Sequence, residues 1–375
     1  MAEWLANARL LLPESVAERM AVRVEAGRIA EIAALEAAPA DAMDLGGALL
    51  APGFVDTQVN GGGGALFNDS PTVEALETIA LAHRRFGTTG LLPTLISDEL
   101  EVVRAGVAAV DAAIAAGVPG ILGIHIEGPF LNPEKHGIHL TERLRLLDEA
   151  GFAAITGLKR GVTLATLAPE LTTPDMVRRL ADAGLKIAAG HSNARYDEAM
   201  AGFAAGIGAV THLFNAMSPL TSRAPGLVGA ALDRDDTVLA LIVDGHHVHP
   251  ATMRVALKAA GAQRIMLVTD AMPSVGAASG DFHLQGRDIH LIEGALRGPD
   301  GQLAGSVLDM GSAVRNAADM LGVGLEAACR MGAEVPARFM GLPHGRIAVG
   351  APADFVLLDD TGALLALFQG GIRQD

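Results

Sequence analysis

Eight short apolar segments recur along residues 52–272, and each is followed by a polar or Gly/Pro break and then by a helix-like segment. This alternation constrains the fold more than any other feature. Apolar runs of strand length that alternate with amphipathic helices are typical of parallel strands buried on both faces. The runs lie at 52–60, 88–95, 120–128, 162–170, 186–192, 209–215, 238–245 and 264–272.

The segments between these runs carry the start and stop signals of helices. SPTVEALETIALAHRRFG and TTPDMVRRLADAG begin with N-cap residues, keep a 3.6-residue apolar period and end on Gly. Eight strand–helix units over roughly 250 residues predict an α/β fold, a (β/α)8 barrel of the TIM type. A doubly wound sheet is the competing interpretation, but the sequence lacks its dinucleotide-binding fingerprint.

The two ends of the chain have a different pattern, with short β-like pieces and Gly breaks. We therefore predict a small β-sandwich domain formed from residues 1–51 and 343–375, beside a barrel domain at 52–342. Residues 282–297 predict a β insertion within the barrel domain. The GGGG at 61–64 is a weak phosphate-loop signal, because no Lys-Ser/Thr pair and no fitting helix start follow it.

Composition limits the partners and the compartment. The formal net charge is −15, which argues against nucleic acid and anionic membranes, and no apolar run reaches membrane-spanning length without Gly, Pro or a charge. Cys329 is the single cysteine, so an intrachain disulfide is impossible and a reducing compartment is expected. The N-terminus lacks the basic start and cleavage site of a signal peptide. We expect a cytoplasmic protein.

Four polar side chains follow the apolar runs at equivalent points. They are Glu127 after the third run, His191 after the fifth, His212 after the sixth and Asp270 after the eighth. Each has an ordinary explanation taken alone, since a strand-end His is usually structural and an Asp before a helix is usually an N-cap. In a TIM-type barrel, however, catalytic groups lie at the carboxyl ends of the strands. The four positions together therefore predict an active site.

One Glu and two His with an open position form a known catalytic zinc set. Such an ion lowers the pKa of the water that it binds to about 7, which gives a nucleophile at neutral pH. Glu127, His191 and His212 are accordingly the predicted metal ligands, and Asp270 is the predicted general base. His125 lies on the same strand face as Glu127, and we interpret it as a packed, hydrogen-bonded residue rather than a ligand. His83 falls in a helix-like segment and is expected to be solvated.

Longer motifs make the sequence resemble the N-acetylglucosamine-6-phosphate deacetylases of the amidohydrolase superfamily. The resemblance runs nearly end to end, and the motifs are specific only in combination. They are PGFVDTQVNGGGG, HIEGPFLNPEKHGIH, GHSNA, THLFNAMSPL, VDGHHVHP, VTDAM and LAGSVLDM.

This resemblance implies the same metal ligands and the same acid/base, and it adds substrate contacts. His139 would polarise the acetyl carbonyl as a second catalytic residue. Asn215 and Ala216 would hold the sugar phosphate, and Arg223 and His247 would supply positive or donor groups to it. The segment Leu303, Ala304 and Gly305 would line the acetyl or sugar pocket, and Ile138 and Asp244 complete the predicted substrate-binding set. Family members are commonly dimers, so the resemblance also implies a homodimer acting on a small amino-sugar phosphate.

The sequence departs from the wider superfamily at the end of the first strand. Most amidohydrolases have His-x-His there and bind two metals, whereas this chain has Gln58-Val59-Asn60. Neutral amides are poor zinc ligands beside His and carboxylate. We therefore expect one divalent metal per chain, with zinc as the expected ion and iron(II) or another divalent metal as alternatives.

The expected reaction is hydrolysis of the N-acetyl group of N-acetylglucosamine 6-phosphate to acetate and glucosamine 6-phosphate. Two other functions stay open. A cyclic amidohydrolase would require His-x-His and a bridging lysine, which the sequence does not offer. A catalytically silent sugar-phosphate-binding protein would be expected to have lost Glu127, His191, His212 or Asp270, and all four are present.

Overall fold

A computed structural model describes residues 3–374 of the chain. Its strands, in chain order, are β1 Glu3–Leu11, β2 Val16–Glu25, β3 Arg28–Ala34, β4 Met43–Asp44, β5 Leu49–Pro52, β6 Phe54–Val59, β7 Gly61–Gly62, β8 Ala65–Leu66, β9 Thr88–Ile96, β10 Gly123–Glu127, β11 Val162–Leu167, β12 Lys186–Ala189, β13 Ala209–Val210, β14 Val238–Leu241, β15 Ile265–Leu267, β16 Phe282–Leu284, β17 Arg287–Ile292, β18 Ala295–Arg297, β19 Phe355–Leu358, β20 Leu364–Gln369 and β21 Ile372–Gln374.

Helices alternate with the strands over the middle of the chain. The α-helices are α1 Val73–Arg84, α2 Leu100–Ala116, α3 Glu149–Ile155, α4 Pro174–Asp182, α5 Tyr196–Ala205, α6 Gly226–Asp233, α7 Pro250–Ala260, α8 Met310–Asn316, α9 Leu325–Gly332 and α10 Glu334–Met340. A π-helical segment, Ala317–Leu321, continues α8. Short 3-10 turns lie at Leu35–Ala37, Pro133–Lys135, Thr141–Arg143, Pro169–Leu171 and Ala262–Arg264.

The eight predicted apolar runs form one parallel sheet, in the order β6-β9-β10-β11-β12-β13-β14-β15. Each strand is followed by its own helix, from α1 after β6 to α8 after β15. A bridge between Val59 and Ala271 brings the two ends of the sheet together, so the sheet nearly closes into a barrel. The predicted (β/α)8 fold is confirmed.

The strands of this barrel are buried on both faces, which explains their apolar runs. Every residue of β9 and of β10 is buried. The helices form where the sequence signals predict them. Thr72 caps α1 by accepting a hydrogen bond from the backbone N–H of Ala75. Thr173 caps α4 in the same way through Met176, and Pro174 occupies its first turn.

The terminal segments form a second sheet with its own apolar core. Its order is β21-β20-β19-β5-β1-β2-β3, and β4 pairs with β1. Leu10, Val22, Phe355 and Phe368 are buried together in this core. Ile29 donates its backbone N–H to the carbonyl of Ala351, so the β3 edge curls back toward the C-terminal part of the chain. The predicted small β domain from both termini is thus one curled sheet, and the exact division at residues 51/52 and 342/343 stays a prediction.

Two smaller sheets lie at the carboxyl end of the barrel. β16, β17 and β18 form an antiparallel three-stranded sheet, which confirms the predicted β insertion. The GGGG segment forms the hairpin of β7 and β8. The prediction that His83 is solvated is wrong. Its ring is fully buried under this hairpin and donates from Nε2 to the carbonyl of Gly61 at 2.9 Å.

Within residues 3–374, none of the helices combines the length and the apolar character that a bilayer crossing requires.

The pairing of β10 with β11 leaves no room for a side chain at Gly123. A Cβ at this position would overlap the backbone of Val162 on the neighbouring strand. Gly123→Ala should therefore destabilise the barrel by about 1–3 kcal/mol or more, as overpacked core substitutions do. The check is urea unfolding followed by circular dichroism.

Gly157→Ala is the matched control, because its Cβ would lie 3.5 Å from the nearest atom, the carbonyl oxygen of Ala154. Gly157→Ala should leave stability nearly unchanged. Equal unfolding midpoints for the two variants would show that the β10–β11 pairing tolerates a side chain and that the packing argument is wrong.

Candidate functional site

The four predicted strand-end residues meet in one cavity at the carboxyl end of the barrel. Glu127 is the last residue of β10, His191 and His212 follow β12 and β13, and Asp270 follows β15. All four line a cavity of about 250 Å³. The parallel order of the strands explains the convergence, because their carboxyl ends lie on the same side of the barrel.

Three of these residues have unusual backbone conformations. The φ angles are 47° for His191, 29° for His212 and 53° for Asp270. Positive φ is uncommon for residues other than glycine and costs free energy that the surrounding structure must offset. Each of these residues lies two or three positions beyond the end of its strand, where the chain leaves the barrel. Such strain is often found where side chains are fixed for function.

The side chains of Glu127, His191 and His212 converge on a single point. Glu127 Oε1 lies 2.9 Å from His212 Nε2 and 3.3 Å from His191 Nε2, and the two Nε2 atoms are 3.1 Å apart. Ligand atoms at about 2.0–2.2 Å from a tetrahedral zinc are themselves separated by about 3.3–3.6 Å. The observed triangle is close to that spacing, so a small divalent cation could be held by these three atoms.

The hydrogen bonds around the two histidines suit this arrangement. His191 Nδ1 lies 2.8 Å from the carbonyl oxygen of Lys135. A carbonyl accepts only, so Nδ1 carries a proton; with a cation at the centre of the triangle the ring would be neutral and Nε2 would offer its lone pair to that cation. His212 Nδ1 is buried and has no hydrogen-bond partner among residues 3–374. The carboxylate and two imidazoles are a donor set that suits zinc and similar divalent ions.

The ionisation of Glu127 and that of His212 depend on each other. Burial opposes ionisation of Glu127, but the hydrogen bonds from His191 and His212 outweigh burial and hold the pKa of Glu127 well below its usual range. For His212, burial favours the neutral ring, yet the hydrogen bond and the charge of Glu127 raise its pKa. Glu127 is therefore a buried carboxylate that is stabilised by the two rings, and a divalent cation could take the place of the protons that they donate to it.

His139 lies against this cluster but presents a proton rather than a lone pair. The backbone N–H of Ser97 donates to His139 Nδ1 at 3.1 Å, and Ser97 Oγ is 2.7 Å from the same atom. Because a backbone N–H can only donate, Nδ1 is the acceptor and the neutral ring carries its proton on Nε2. Burial, followed by the neighbouring His191, places the pKa of His139 well below its usual range.

A second set of three side chains could also hold a metal by spacing alone. Glu127, His139 and His191 each offer a ligand atom, and these atoms lie within 4.8 Å of one another. The set with His212 is tighter, at 3.3 Å or less. The protonated Nε2 of His139 also makes it a hydrogen-bond donor in its neutral form. We therefore favour His212 over His139 as the third ligand.

Two amide side chains hold Asp270. Asn60 Nδ2 donates to Asp270 Oδ1 at 2.7 Å, and Gln58 Nε2 donates to the same oxygen at 3.2 Å. Gln58 Nε2 also lies 3.0 Å from Glu127 Oε1, so it links the two carboxylates. Burial and then the charge of Glu127 raise the pKa of Asp270 to about 6, although His212, His247 and Asn60 act in the opposite direction.

Most of the predicted substrate contacts face the same cavity. The predicted residues that line it are Ile138, His139, Asn215, Ala216, His247, Leu303 and Gly305. Ala304 is fully buried in an apolar cluster beside the cavity, together with Ile96 and Met272. The cavity thus combines metal-type ligands, hydrogen-bond donors and an apolar wall.

Asp244 and Arg223 stand apart from the cavity wall. Asp244 Oδ2 accepts a hydrogen bond from His247 Nδ1 at 2.6 Å, so it orients that ring and leaves Nε2 for a ligand. Arg223 is exposed and lines a neighbouring cavity of about 630 Å³, together with Arg195 and Ser218. The loop after β13 contributes to both cavities, because Ala216 lines the first and Arg223 the second.

Several residues of the site were not predicted as site residues from the sequence. Ser97 positions His139, and the cavity is also lined by Asn60, Ile96, Gly137, Met272 and Gln302. A signal for Ile96 and Ser97 existed, because they directly follow the second apolar run at 88–95, and Ile96 pairs with Glu127 across β9 and β10. Gln302 follows the β insertion, where no strand-end rule applies.

His125 takes no part in the ligand triangle. Its ring is buried, and Nε2 lies 2.8 Å from the hydroxyl of Thr166, which in turn is 2.6 Å from the hydroxyl of Thr211. Burial lowers the pKa of His125 to about 4. The structure thus agrees with the interpretation of His125 as a packed, hydrogen-bonded residue below the site.

Comparison with known proteins identifies the family. Residues 49–374 match the model of the amidohydrolase family, and the chain belongs to that family. It is 44% identical over 97% of its length to an N-acetylgalactosamine-6-phosphate deacetylase of Shewanella sp. (strain ANA-3), of which the match covers 94%. It is 33% identical over 98% of its length to an N-acetylglucosamine-6-phosphate deacetylase of Bos taurus, with 90% of that protein covered.

Solved structures give the same family. The fold matches the crystal structure of N-acetylglucosamine-6-phosphate deacetylase from Pasteurella multocida with a TM-score of 0.96 and 32% sequence identity. The match covers 100% of both chains. The resemblance drawn from the motifs is therefore confirmed at the level of the whole fold.

The hydrogen bonds of His139 generate a prediction about its ionisation. In metal-free protein the ring should stay neutral well below pH 6.5, with its proton on Nε2, because it is buried and Nδ1 accepts from Ser97. Nitrogen-15 NMR of histidine-labelled protein, assigned with a His139→Gln variant, reports both the tautomer and the titration. A ring that is protonated at Nδ1, or that titrates near pH 6.5, would contradict the donor role.

Proposed function

We propose that this chain hydrolyses the N-acetyl group of N-acetylglucosamine 6-phosphate, with acetate and glucosamine 6-phosphate as products. The observation that carries the proposal is the buried triangle of Glu127, His191 and His212 beside Asp270 and the Nε2 proton of His139, all in one cavity. This arrangement combines a cation site, a carboxylate base and a donor for a carbonyl oxygen. Those are the groups that amide hydrolysis requires.

The proposed metal site holds one divalent cation per chain, with Glu127, His191 and His212 as ligands. Zinc is the proposed ion, and iron(II) is the main alternative because the donor set suits both. A second ion would need ligands from β6. There Gln58 and Asn60 offer neutral amides, and both direct their N–H groups at Asp270. The two amide groups thus make the contacts to the Asp270 carboxylate that a second cation would otherwise make.

In the proposed reaction, the chain's own residues orient the acetyl group and move one proton. His139 donates a hydrogen bond from Nε2 to the acetyl carbonyl oxygen, and this bond strengthens as negative charge develops there. Asp270 accepts a proton from the attacking water. Gln58 and Asn60 both use Oδ1 of Asp270, so we assign the proton to Oδ2. Asp270 then gives that proton to the departing amine nitrogen.

A divalent cation bound by Glu127, His191 and His212 supplies Lewis-acid catalysis, because it polarises a carbonyl and makes water more acidic.

The phosphate group is proposed to lie at the other end of the cavity. Asn215 and Ala216 are its proposed main contacts, and His247, oriented by Asp244, offers a further donor. Arg223 is proposed to reach the phosphate from the adjoining cavity, since guanidinium groups bind phosphate with a planar fork. With a net charge of −15, the protein needs such local donors for a dianionic ligand.

N-Acetylgalactosamine 6-phosphate is a second candidate substrate. The specific observation in its favour is the 44% identity to the Shewanella relative that carries this name. The two sugars differ only in the configuration at C4, so the same acetyl and phosphate contacts serve both. We further propose a cytoplasmic homodimer, in keeping with the acidic composition, the single buried cysteine and the resemblance.

The test is acetate release by the purified protein from three substrates. They are N-acetylglucosamine 6-phosphate, N-acetylgalactosamine 6-phosphate and unphosphorylated N-acetylglucosamine, each with and without a chelator. The proposal expects the highest kcat/KM with the first substrate, a far lower value without the phosphate, and loss of activity with chelator. A higher kcat/KM for the galacto sugar would select the second candidate, and no acetate release from either phosphorylated sugar would refute the proposal.

Removing the proton acceptor should abolish most of the rate. Asp270→Asn keeps the size of the side chain but cannot exchange a proton, so kcat should fall by about 10² or more while metal content stays at the wild-type level. Steady-state kinetics with elemental analysis measure both. Asp69→Asn, which neutralises an exposed acid, is the control and should leave kcat unchanged.

The role of Asp270 as the base also determines the direction in which kcat/KM changes with pH. Asp270 must be ionised to accept a proton, and its pKa is raised to about 6, so kcat/KM should fall as the pH drops through this region. A bound cation nearby favours the ionised form, which places the midpoint at or below about 6. Near-wild-type kcat in Asp270→Asn, or an acid limb that survives this substitution unchanged, would show that Asp270 is not the base.

A further inference from the structure

The barrel has one seam, and a buried carboxylate spans it. β6 and β15 stand at the two ends of the sheet order, and the bridge between Val59 and Ala271 joins them. Just below this bridge, the backbone N–H groups of Gln58 and Thr269 both point at Asp56 Oδ1, at 3.1 and 3.3 Å. In a continuous ladder such N–H groups would donate to carbonyl oxygens. Here the side chain of Asp56 takes that place.

Thr269 completes the connection. Its hydroxyl donates to Asp56 Oδ2 at 2.5 Å and accepts the backbone N–H of Ala271 at 3.2 Å. The carbonyl of Thr269 accepts the hydroxyl of Ser306 at 2.6 Å. Both Asp56 and Thr269 are fully buried. We call these two residues the seam clamp.

The seam clamp lies directly beside the groups that the proposed reaction uses. Asp270 follows Thr269, has a positive φ of 53°, and donates its backbone N–H to the carbonyl of Gln58 at 3.0 Å. The side chain of Gln58 holds the carboxylates of Asp270 and Glu127. A shift of β15 against β6 would therefore change the position of Asp270 relative to the metal ligands.

Asp56 and Thr269 themselves do not reach the ligand cavity. Among residues 3–374, neither belongs to those that line it. Any effect of the seam clamp on the reaction is thus indirect, through the backbone of Asp270 and Gln58. Burial raises the pKa of Asp56 to about 7, as expected for a carboxyl group enclosed by the barrel, but the geometry alone defines the contact.

We propose that Asp56 and Thr269 are positioning residues, which fix the strained turn at Asp270 across the barrel seam so that its carboxylate faces the metal ligands. The proposal rests on the proposed function, because it concerns the general base of that reaction. A misplacement of about 1 Å in a reacting group can cost 10²-fold in rate. A loosened seam should accordingly lower kcat while substrate binding, which uses other residues, is kept.

The test compares Thr269→Val with Thr269→Ser. Valine keeps the shape but removes the hydroxyl, whereas serine keeps the hydroxyl. Thr269→Val should lower kcat by about 10-fold or more with KM within about twofold of the wild type and metal content unchanged, and Thr269→Ser should keep kcat within about twofold. All values are measured on the full-length, metal-loaded enzyme with N-acetylglucosamine 6-phosphate.

Thr89→Val is the control for a merely structural role. Thr89 is also buried and donates its hydroxyl to a backbone carbonyl, that of Phe54, but it lies at the opposite end of the barrel. Its loss should lower the melting temperature without changing kcat. If Thr269→Val behaves in the same way, with lowered stability and wild-type kcat per bound metal, the positioning role is overturned.

Asp56→Asn settles the question if Thr269→Val does not fold. The amide group must turn an N–H2 toward one of the clamp's donors, so one contact is lost or reversed, and the same fall in kcat at unchanged KM is expected. Failure of both variants to fold, while Thr89→Val folds, would also overturn the proposal, because the clamp would then serve folding alone. A wild-type enzyme without deacetylase activity would instead refute the proposed function.

Discussion

The structure of this site depends on a buried negative charge at Glu127. A carboxylate enclosed by a barrel is costly unless positive or donor groups face it. Here two imidazoles and one amide approach the same oxygen at 2.9 to 3.3 Å. Burial opposes ionisation of Glu127, but the two imidazoles outweigh it and hold the pKa of Glu127 well below its usual range. A divalent cation at the centre of this triangle would balance the charge of Glu127. The proposed cation site follows from this constraint, and burial together with the same charge raises the pKa of Asp270 to about 6.

Much of the fold was predictable because buried strands and helix faces require apolar residues at regular positions. The eight barrel strands are apolar on both faces, and their helices carry caps such as Thr72 and Thr173, so both element types and their alternation could be predicted. His83 shows the limit of local reasoning. Its helix looks solvated by composition, but the β7–β8 hairpin covers it, and that packing arises from residues distant in sequence.

The site was predictable to the extent that it follows the strand-end rule. Glu127, His191, His212 and Asp270 obey the rule and meet in one cavity. Contacts that depend on loops, such as those of His139 and Arg223, were predicted only from the family resemblance, and Ser97 was not predicted. Ser97 acts through the loop that brings His139 back over the barrel, and Arg223 lies in an adjoining cavity because the loop after β13 carries it away from Ala216. Loop paths depend on tertiary packing rather than on periodicity.

The central claim is that Glu127, His191 and His212 hold one cation while His139 remains a hydrogen-bond donor. The most direct test is a crystal structure of the metal-loaded protein with data collected at the absorption edge of the metal. The account predicts one anomalous peak per chain, at about 2.0–2.2 Å from Glu127 Oε1, His191 Nε2 and His212 Nε2. A peak coordinated by His139 in place of His212, or a second peak beside Gln58 and Asn60, would contradict it.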